Sequence, residues 1–232
     1  MNLRTAVRTA RRFGERLLRF GPDDLRRTTP LHPAYGYHRG TPVDRHYMET
    51  FLAAEASLVR GAGIEIAEDR YLTRFGGNRL NSVTTFQLEG EGPGRLVGDL
   101  CQPETLPADL FDSFICTQTL SFLFDVPAAL RGCHRVLRPG GSLLLAVAGT
   151  THISRYDADR WGDYWRFTPQ SIERLLRPVF GDGIRICAYG NVLAATAMLH
   201  GIVTEELTAA ELAAHDPDYP VTICAVATKA GA

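Results

Sequence analysis

The stretch from Ala148 to Thr168 holds the densest chemistry in the chain. It reads AGTTHISRYDADRWGDYWRFT, with both Trp residues, two Tyr, three Arg and three Asp. Aromatic faces beside hydrogen-bonding groups suit a sugar or a ring-bearing small molecule. An amphipathic surface helix packing Tyr156, Trp161 and Trp165 on the core accounts for fewer of these residues. An imidazole or carboxylate in such a loop can take a proton from a hydroxyl, so His152 and Asp163 are candidate general bases. His200 is a third, although a lone His on an apolar helix is by default a packing residue. The later run Glu205, Glu206, His215, Asp216 and Asp218 mixes imidazole and carboxylates. Its spacings match no common zinc motif. The five Cys (101, 116, 133, 187 and 224) are scattered and form no CxxC, so neither a metal site nor a redox pair is expected.

The elements that must position these groups are clearest between Phe111 and Val147. Phe114-Ile115-Cys116 is a short apolar run, as in a strand buried on both faces. Asp125 is placed to cap a helix with Pro127 in its first turn. Ala129, Leu130, Cys133, Val136 and Leu137 follow at helical spacing, and Pro139-Gly140-Gly141 stops the helix. Ser142 to Val147 is a second buried strand. Strand, helix and strand in this order imply a right-handed parallel crossover. Further on, Thr168-Pro169 starts a helix over 170–179, Ile184–Tyr189 reads as a strand, and Val221–Thr228 as a last, antiparallel one. Between these strands a helix is expected over 194–207. Before the first strand, Thr41 or Asp44 caps a helix through Leu58.

The residues FD, QTL and RVLRPGG of this middle segment carry a resemblance. The pattern resembles the fourth-strand to fifth-strand half of class I S-adenosylmethionine-dependent methyltransferases, in their small-molecule branch. It extends from about Gly63 to the C-terminus. The resemblance implies an α/β, Rossmann-like fold. Its sheet would be seven-stranded and mostly parallel with an antiparallel last strand, and helices would cover both faces. It also implies S-adenosylmethionine as cofactor. Glu65 fills the acidic place on the first strand, Asp99 and Leu100 the place that meets adenine, and Thr117 and Gln118 the pocket floor. Asp99 also reads as a simple turn cap.

The chain departs from the family after the first strand. Ala67-Glu68-Asp69 stands where the family has a glycine loop, so Cβ atoms occupy the place of close backbone approach. Glu68 and Asp69 either pair with the sulfonium and ammonium of the cofactor, close the pocket, or form a plain polar turn. The second strand, 81–88, lacks the usual ribose-binding acid, with only Glu89 and Glu91 following it. The leading expectation is methyl transfer to a hydroxyl of a sugar or glycosylated metabolite. The alternatives are another reaction class on the same scaffold, such as cyclisation, elimination or hydrolysis, and a non-catalytic binding protein.

The 232 residues and 45% apolar content suit one α/β domain with a short extension. A net charge of -1 gives no case for nucleic acid as partner. No apolar run reaches the ~20 residues of a membrane span, and a cytoplasmic location is the default. Residues 1–20 read as a basic amphipathic helix, with Arg4, Arg8, Arg11, Arg12, Arg16 and Arg19 beside Leu3, Val7, Leu17 and Leu18. It docks on its own domain or pairs two copies, lies on an acidic membrane surface, or serves as a presequence. Residues 21–43 form a loop dense in Tyr and His, expected as a lid, and 44–232 the methyltransferase-like domain.

Overall fold

Alternate residues of the central strands look to opposite sides, and both sides are covered. On β4 (Phe111–Thr117), Phe114 and Cys116 join Leu143 and Leu145 of β5 (Leu137–Ala148) in one apolar cluster. Ile115, Leu144 and Ala146 join the cluster on the other side. That is the period of a pleated strand buried on both faces. The computed structural model describes residues 24–231. The expected helix over residues 1–20 lies outside them.

Four further strands and β7 complete a seven-stranded sheet. They are β1 (Gly61–Ile66), β2 (Leu80–Gln87), β3 (Arg95–Val97), β6 (Ile184–Tyr189) and β7 (Thr222–Thr228). The order is β3-β2-β1-β4-β5-β7-β6. Strands β1 to β5 pair in parallel, and β7 runs antiparallel to both β5 and β6. Strand β6 therefore points the same way as β5. The carboxyl ends of β1 to β6 share one edge, the edge at which open α/β sheets receive ligands.

Helices α1 (Val43–Ala54) and α2 (Arg70–Gly76) cover one face, through Met48, Phe51, Leu52, Tyr71 and Leu72. Helices α3 (Val126–Val136) and α5 (Pro169–Phe180) cover the other, through Leu130, Cys133, Ile172 and Leu176. Asp125 caps α3, its carboxylate accepting from Ala128 N–H at 2.9 Å. Thr168 and Ser171 form a reciprocal capping box on α5. Between them lies α4 (Arg155–Trp161). Helices α6 (Val192–His200) and α7 (Ala209–Ala213) occupy the insertion before β7.

Three boundaries differ from the sequence reading. Helix α3 ends at Val136, and Leu137 already pairs with Phe111. The next pair is Ser113 with Ser142, so residues 138–141 bulge out of the ladder. The expected helix over 194–207 ends at His200, where Gly201 turns left-handed at φ 70°. Helix α1 is preceded by Pro42, not capped by Thr41 or Asp44, and ends at Ala54. Asp44 lies inside its first turn, which frees its carboxylate for another task.

Residues 32–41 are tied to the insertion. His32 N–H bonds the His200 carbonyl at 2.9 Å, and Thr204 N–H the Thr41 carbonyl at 2.9 Å. Arg39 pairs with Glu206 at 2.6 Å, both side chains about one-tenth exposed. Gly36, at φ 73°, lies so close to Gly201 that an added Cβ would stand 2.3 Å from its carbonyl oxygen. Among the described residues no helix is long and apolar enough to cross a membrane.

Candidate active site

The first strand delivers an acidic residue to the protein interior. Glu65 is 4% exposed. Its two oxygens accept from Leu72 N–H at 2.8 Å and Tyr71 N–H at 3.3 Å, which anchors the start of α2. Burial pushes the Glu65 carboxyl up to about 7, and Asp69 and Glu68 add to the effect. The next residue but one, Ala67, is left-handed at φ 64°, a conformation glycine adopts without strain. Glu68 and Asp69 are exposed. They are not packed into the interior.

This acid gives a stability prediction. Its folded pKa of about 7 exceeds the ordinary 4.5, so the folded chain holds the proton more tightly than the unfolded one. Stability is then lost as pH rises from about 4.5 to 7, by roughly 3 kcal/mol at 1.36 kcal/mol per pKa unit. Urea unfolding of wild type and Glu65→Gln across this range should show a decline in the first and a flatter curve in the second. Parallel curves would remove Glu65 as the cause.

At the end of β3, Asp99 accepts from Cys101 N–H at 2.8 Å and from Gln102 Nε2 at 3.4 Å. It thus forms the turn considered for it from sequence. Leu100 is buried beside it. At the end of β4, the Thr117 carbonyl accepts from Thr119 Oγ1 at 3.0 Å. Gln118 is left-handed at φ 51° and donates its backbone N–H to the Ala146 carbonyl at 2.8 Å. Its Nε2 donates to Asp44 Oδ2 at 3.3 Å. Strained non-glycine residues of this kind cluster at functional sites.

The chain just after β5 carries Thr151 and His152, which meet the 32–41 segment at Tyr35. The Tyr35 ring stacks on His152 with centroids 4.1 Å apart and a 26° interplanar angle. The Tyr35 hydroxyl lies beside the Thr151 and Ser154 hydroxyls. Burial, with help from the Arg166 charge, holds the His152 imidazole below its ordinary pKa. It is therefore neutral at neutral pH and able to accept a proton. Arg166 holds the loop in place. It meets both Asp163 oxygens at 2.5 and 2.9 Å and the His152 carbonyl at 2.8 Å. Asp163 also accepts from Ser154 N–H at 3.1 Å. Burial works to raise the Asp163 pKa, but Arg166 outweighs it and keeps the carboxyl below the usual range.

In α1 and in the segment after β5 several buried polar atoms have no hydrogen-bond partner among the described residues. They include Asp44 Oδ1, Arg45 Nε and His152 Nδ1. Such atoms are uncommon, and each unsatisfied one costs about 1–3 kcal/mol. Arg45 donates to Tyr37 Oη at 3.2 Å and lies over its ring at 4.7 Å. Burial raises the Asp44 pKa, against the pull of Arg45 and Gln118.

The structure thus gathers His152 and Asp163 through Arg166, and Glu65, Glu68 and Asp69 at the end of β1. His200 lies elsewhere, at the end of α6, its carbonyl accepting from His32 N–H. Glu205 and His215 line a separate cavity of about 570 Å³ on the His46 side of α1. Asp44, Arg45 and Arg166 were not singled out as site residues from sequence: Gln118 lies 74 positions from Asp44, and no local pattern pairs Arg45 with Tyr37 or Arg166 with Asp163 and the His152 carbonyl. The Tyr- and His-rich composition of 32–39 was the one local signal for this side. Beside the site, Phe124, Tyr164 and Trp165 form an exposed aromatic patch, with Phe124 5.4 Å from Tyr164 and 5.9 Å from Trp165. No cluster of three or more metal-binding side chains occurs among the described residues.

A family model described as a methyltransferase domain matches residues 78–145. No curated protein matches the sequence. Among solved structures, a SAM-dependent methyltransferase from Archaeoglobus fulgidus is 12% identical, over 80% of this chain and 94% of that one, with a TM-score of 0.50. The (4+2)-cyclase SpnF is 18% identical over 82% of each chain, with a TM-score of 0.52. Haemonchus contortus phospholethanolamine N-methyltransferase 2, in complex with phosphomonomethylethanolamine and S-adenosylhomocysteine, is 12% identical over 81% of this chain and 53% of that one, with a TM-score of 0.50. At these identities the likeness to the solved structures is one of fold.

Proposed function

We propose that this chain, a member of the class I S-adenosylmethionine-dependent methyltransferase superfamily by domain match and fold, transfers a methyl group to a hydroxyl of a small molecule. A sugar or glycosylated metabolite is the acceptor class that best suits the aromatic residues around the site. The observation that carries the reading is His152: a neutral imidazole with a buried, unpartnered Nδ1, stacked under Tyr35 at the ligand edge of the sheet.

The residues present fit the cofactor. Glu68 and Asp69 stand exposed at the end of β1 and supply negative potential toward its sulfonium. Asp99 and the backbone at Leu100 stand where the family meets adenine, and Thr117 and Gln118 form the floor. The bound cofactor supplies an electrophilic methyl group. His152 takes the acceptor's hydroxyl proton as the oxygen attacks. Tyr35 and Thr151 orient the acceptor and keep water out. Asp163 acts as a positioning residue: paired with Arg166 and bonded to Ser154, it holds the 151–154 loop and is a poor base. The His200 carbonyl anchors the lid at His32.

The left-handed Ala67 favours the second reading, a non-methylating enzyme on this scaffold, because its Cβ stands in the loop where the family brings backbone to the cofactor. Calorimetric titration of the full chain with S-adenosylmethionine and S-adenosylhomocysteine separates the two. Micromolar binding of both is expected. Incubation with S-adenosylmethionine and a panel of sugars and glycosides should then yield a product heavier by one CH2 together with S-adenosylhomocysteine. A folded chain that binds neither ligand would move the function to the second reading.

A further inference from the structure

Two cysteines that are remote in the sequence meet across the last strand pair. Strands β6 and β7 run antiparallel with Cys187 directly opposite Cys224. Residues directly opposite in such a ladder put their side chains on one face, with Cα atoms about 4.5 or 5.5 Å apart. A disulfide spans Cα separations of about 4.4–6.8 Å, so the register already brings this pair within range. The two Sγ atoms are in hydrogen-bonding contact, and Tyr189 Oη lies 3.9 Å from Cys187 Sγ. Both cysteines are free thiols. Their surroundings differ. Strand β6 is the outer strand of the sheet, and Cys187 is half-buried there, within reach of a small reagent. Cys224, on β7 between β5 and β6, is fully buried.

Hydrogen bonding from Cys224, helped by Tyr189 and the Arg185 charge, outweighs burial and holds the Cys187 thiol below its ordinary pKa. Burial and the same contact hold Cys224 well above it, so Cys224 keeps its proton. A partly exposed, acidic thiol beside a second thiol is the arrangement that reacts with peroxides. The other cysteines each lack a part of it. Cys116 and Cys133 also touch, on the opposite face of the sheet, but both are fully buried. Cys101 is half-buried, but burial and the Asp99 and Asp125 carboxylates push its thiol up to about 11. We propose that Cys187 and Cys224 form a peroxide-reactive pair, Cys187 as the attacking thiol and Cys224 as the resolving one. The Cys187 sulfur attacks one oxygen of hydrogen peroxide. An S–O bond forms, the O–O bond breaks, and the second oxygen leaves as water with the Cys187 proton. The Cys224 sulfur then attacks the sulfur of the Cys187 sulfenic acid. The S–S bond forms, the S–O bond breaks, and the hydroxyl leaves as water with the Cys224 proton. Two thiols are oxidised and one peroxide is reduced. The product ties the outer strand β6 to β7, and a thiol reductant reverses it. This chemistry is independent of methyl transfer.

The test is peptide mapping of the full chain. The reduced protein, freed of reductant, is treated with an equimolar amount of hydrogen peroxide, and its cysteine peptides are mapped by mass spectrometry without reduction. A Cys187–Cys224 cross-linked peptide is expected, and dithiothreitol should abolish it. Before oxidation, iodoacetamide at pH 7 should label Cys187 at least about tenfold faster than Cys101, because the thiolate is the reacting form. In Cys224→Ser, peroxide should leave Cys187 as a sulfenic acid that dimedone traps. Where that variant fails to fold, the wild-type map decides alone. Peroxide that leaves Cys187 and Cys224 unlinked, or that links Cys187 only to a second copy of the chain, would overturn the pair. So would labelling of Cys101 as fast as Cys187.

Discussion

Replacing His152 by Gln is expected to lower the rate of methyl transfer by about 10²–10⁴-fold, the usual contribution of a positioned general base. Gln fills much of the space under Tyr35 but cannot take the proton. Because His152 is assigned to the acceptor and not to the cofactor, affinity for S-adenosylhomocysteine should be unchanged. The loss should therefore appear in kcat and not in cofactor binding. The pH profile gives an independent check. Burial and Arg166 hold the imidazole below its ordinary value of 6.5. Wild-type activity should thus persist to more acidic pH than a free imidazole would allow, and the variant should lack that acid limb. An equal rate in the variant, measured as S-adenosylhomocysteine released with the acceptor found in the sugar panel, would remove His152 from the chemistry.

The second large effect concerns the clamp beneath that residue. Asp163 has a side chain only 2% exposed, and it satisfies Arg166 twice and Ser154 once. Asp163→Ala leaves a partly buried guanidinium without its counter-ion and the Ser154 N–H without its acceptor. Breaking a buried pair from one side typically costs about 3–5 kcal/mol. For a chain of this size each kcal/mol shifts Tm by roughly 2–4 °C, so a drop on the order of 10 °C is expected. Arg166→Met should cost a comparable amount, and the double variant less than the sum, since one interaction is removed twice. Additive losses would show that the two side chains act separately. The depressed Asp163 pKa sets the sign of the pH effect: its contribution is full above the ordinary carboxylate range and is lost as pH falls through the folded value.

Some of this protein could be read residue by residue. The β4–α3–β5 unit follows from short apolar runs, an Asp-x-Pro helix start and the Pro-Gly-Gly turn. The structure places the Asp125 cap, the Thr168 cap and the bounds of β6 where these local rules put them. The antiparallel β7 follows from the family pattern, and the observed register agrees. These features are legible because a cap, a turn or a buried strand depends on residues within a few positions of one another. The errors lie where local rules compete. Gly201 stops α6 although the apolar pattern runs on, and Leu137 leaves its helix for the sheet because Phe111 is there to pair with it.

The candidate site belongs to the second kind. Sequence alone supplied His152, Asp163, Glu65 and the departure at Ala67, because their types and their places after apolar runs are visible in one dimension. It could not tell a base from a clamp at 152 and 163, since that depends on which of them meets Arg166 and which meets Tyr35. It read Asp44 as a helix cap, because a cap is the local use of an Asp before a helix. Only the folded chain brings Asp44 to Gln118, 74 positions away, and Arg39 to Glu206, 167 positions away. Charge, burial and hydrogen bonding between such distant groups are properties of the closed structure. Local apolar patterning together with the family resemblance determined the scaffold, and tertiary packing decided which polar groups meet at its edge.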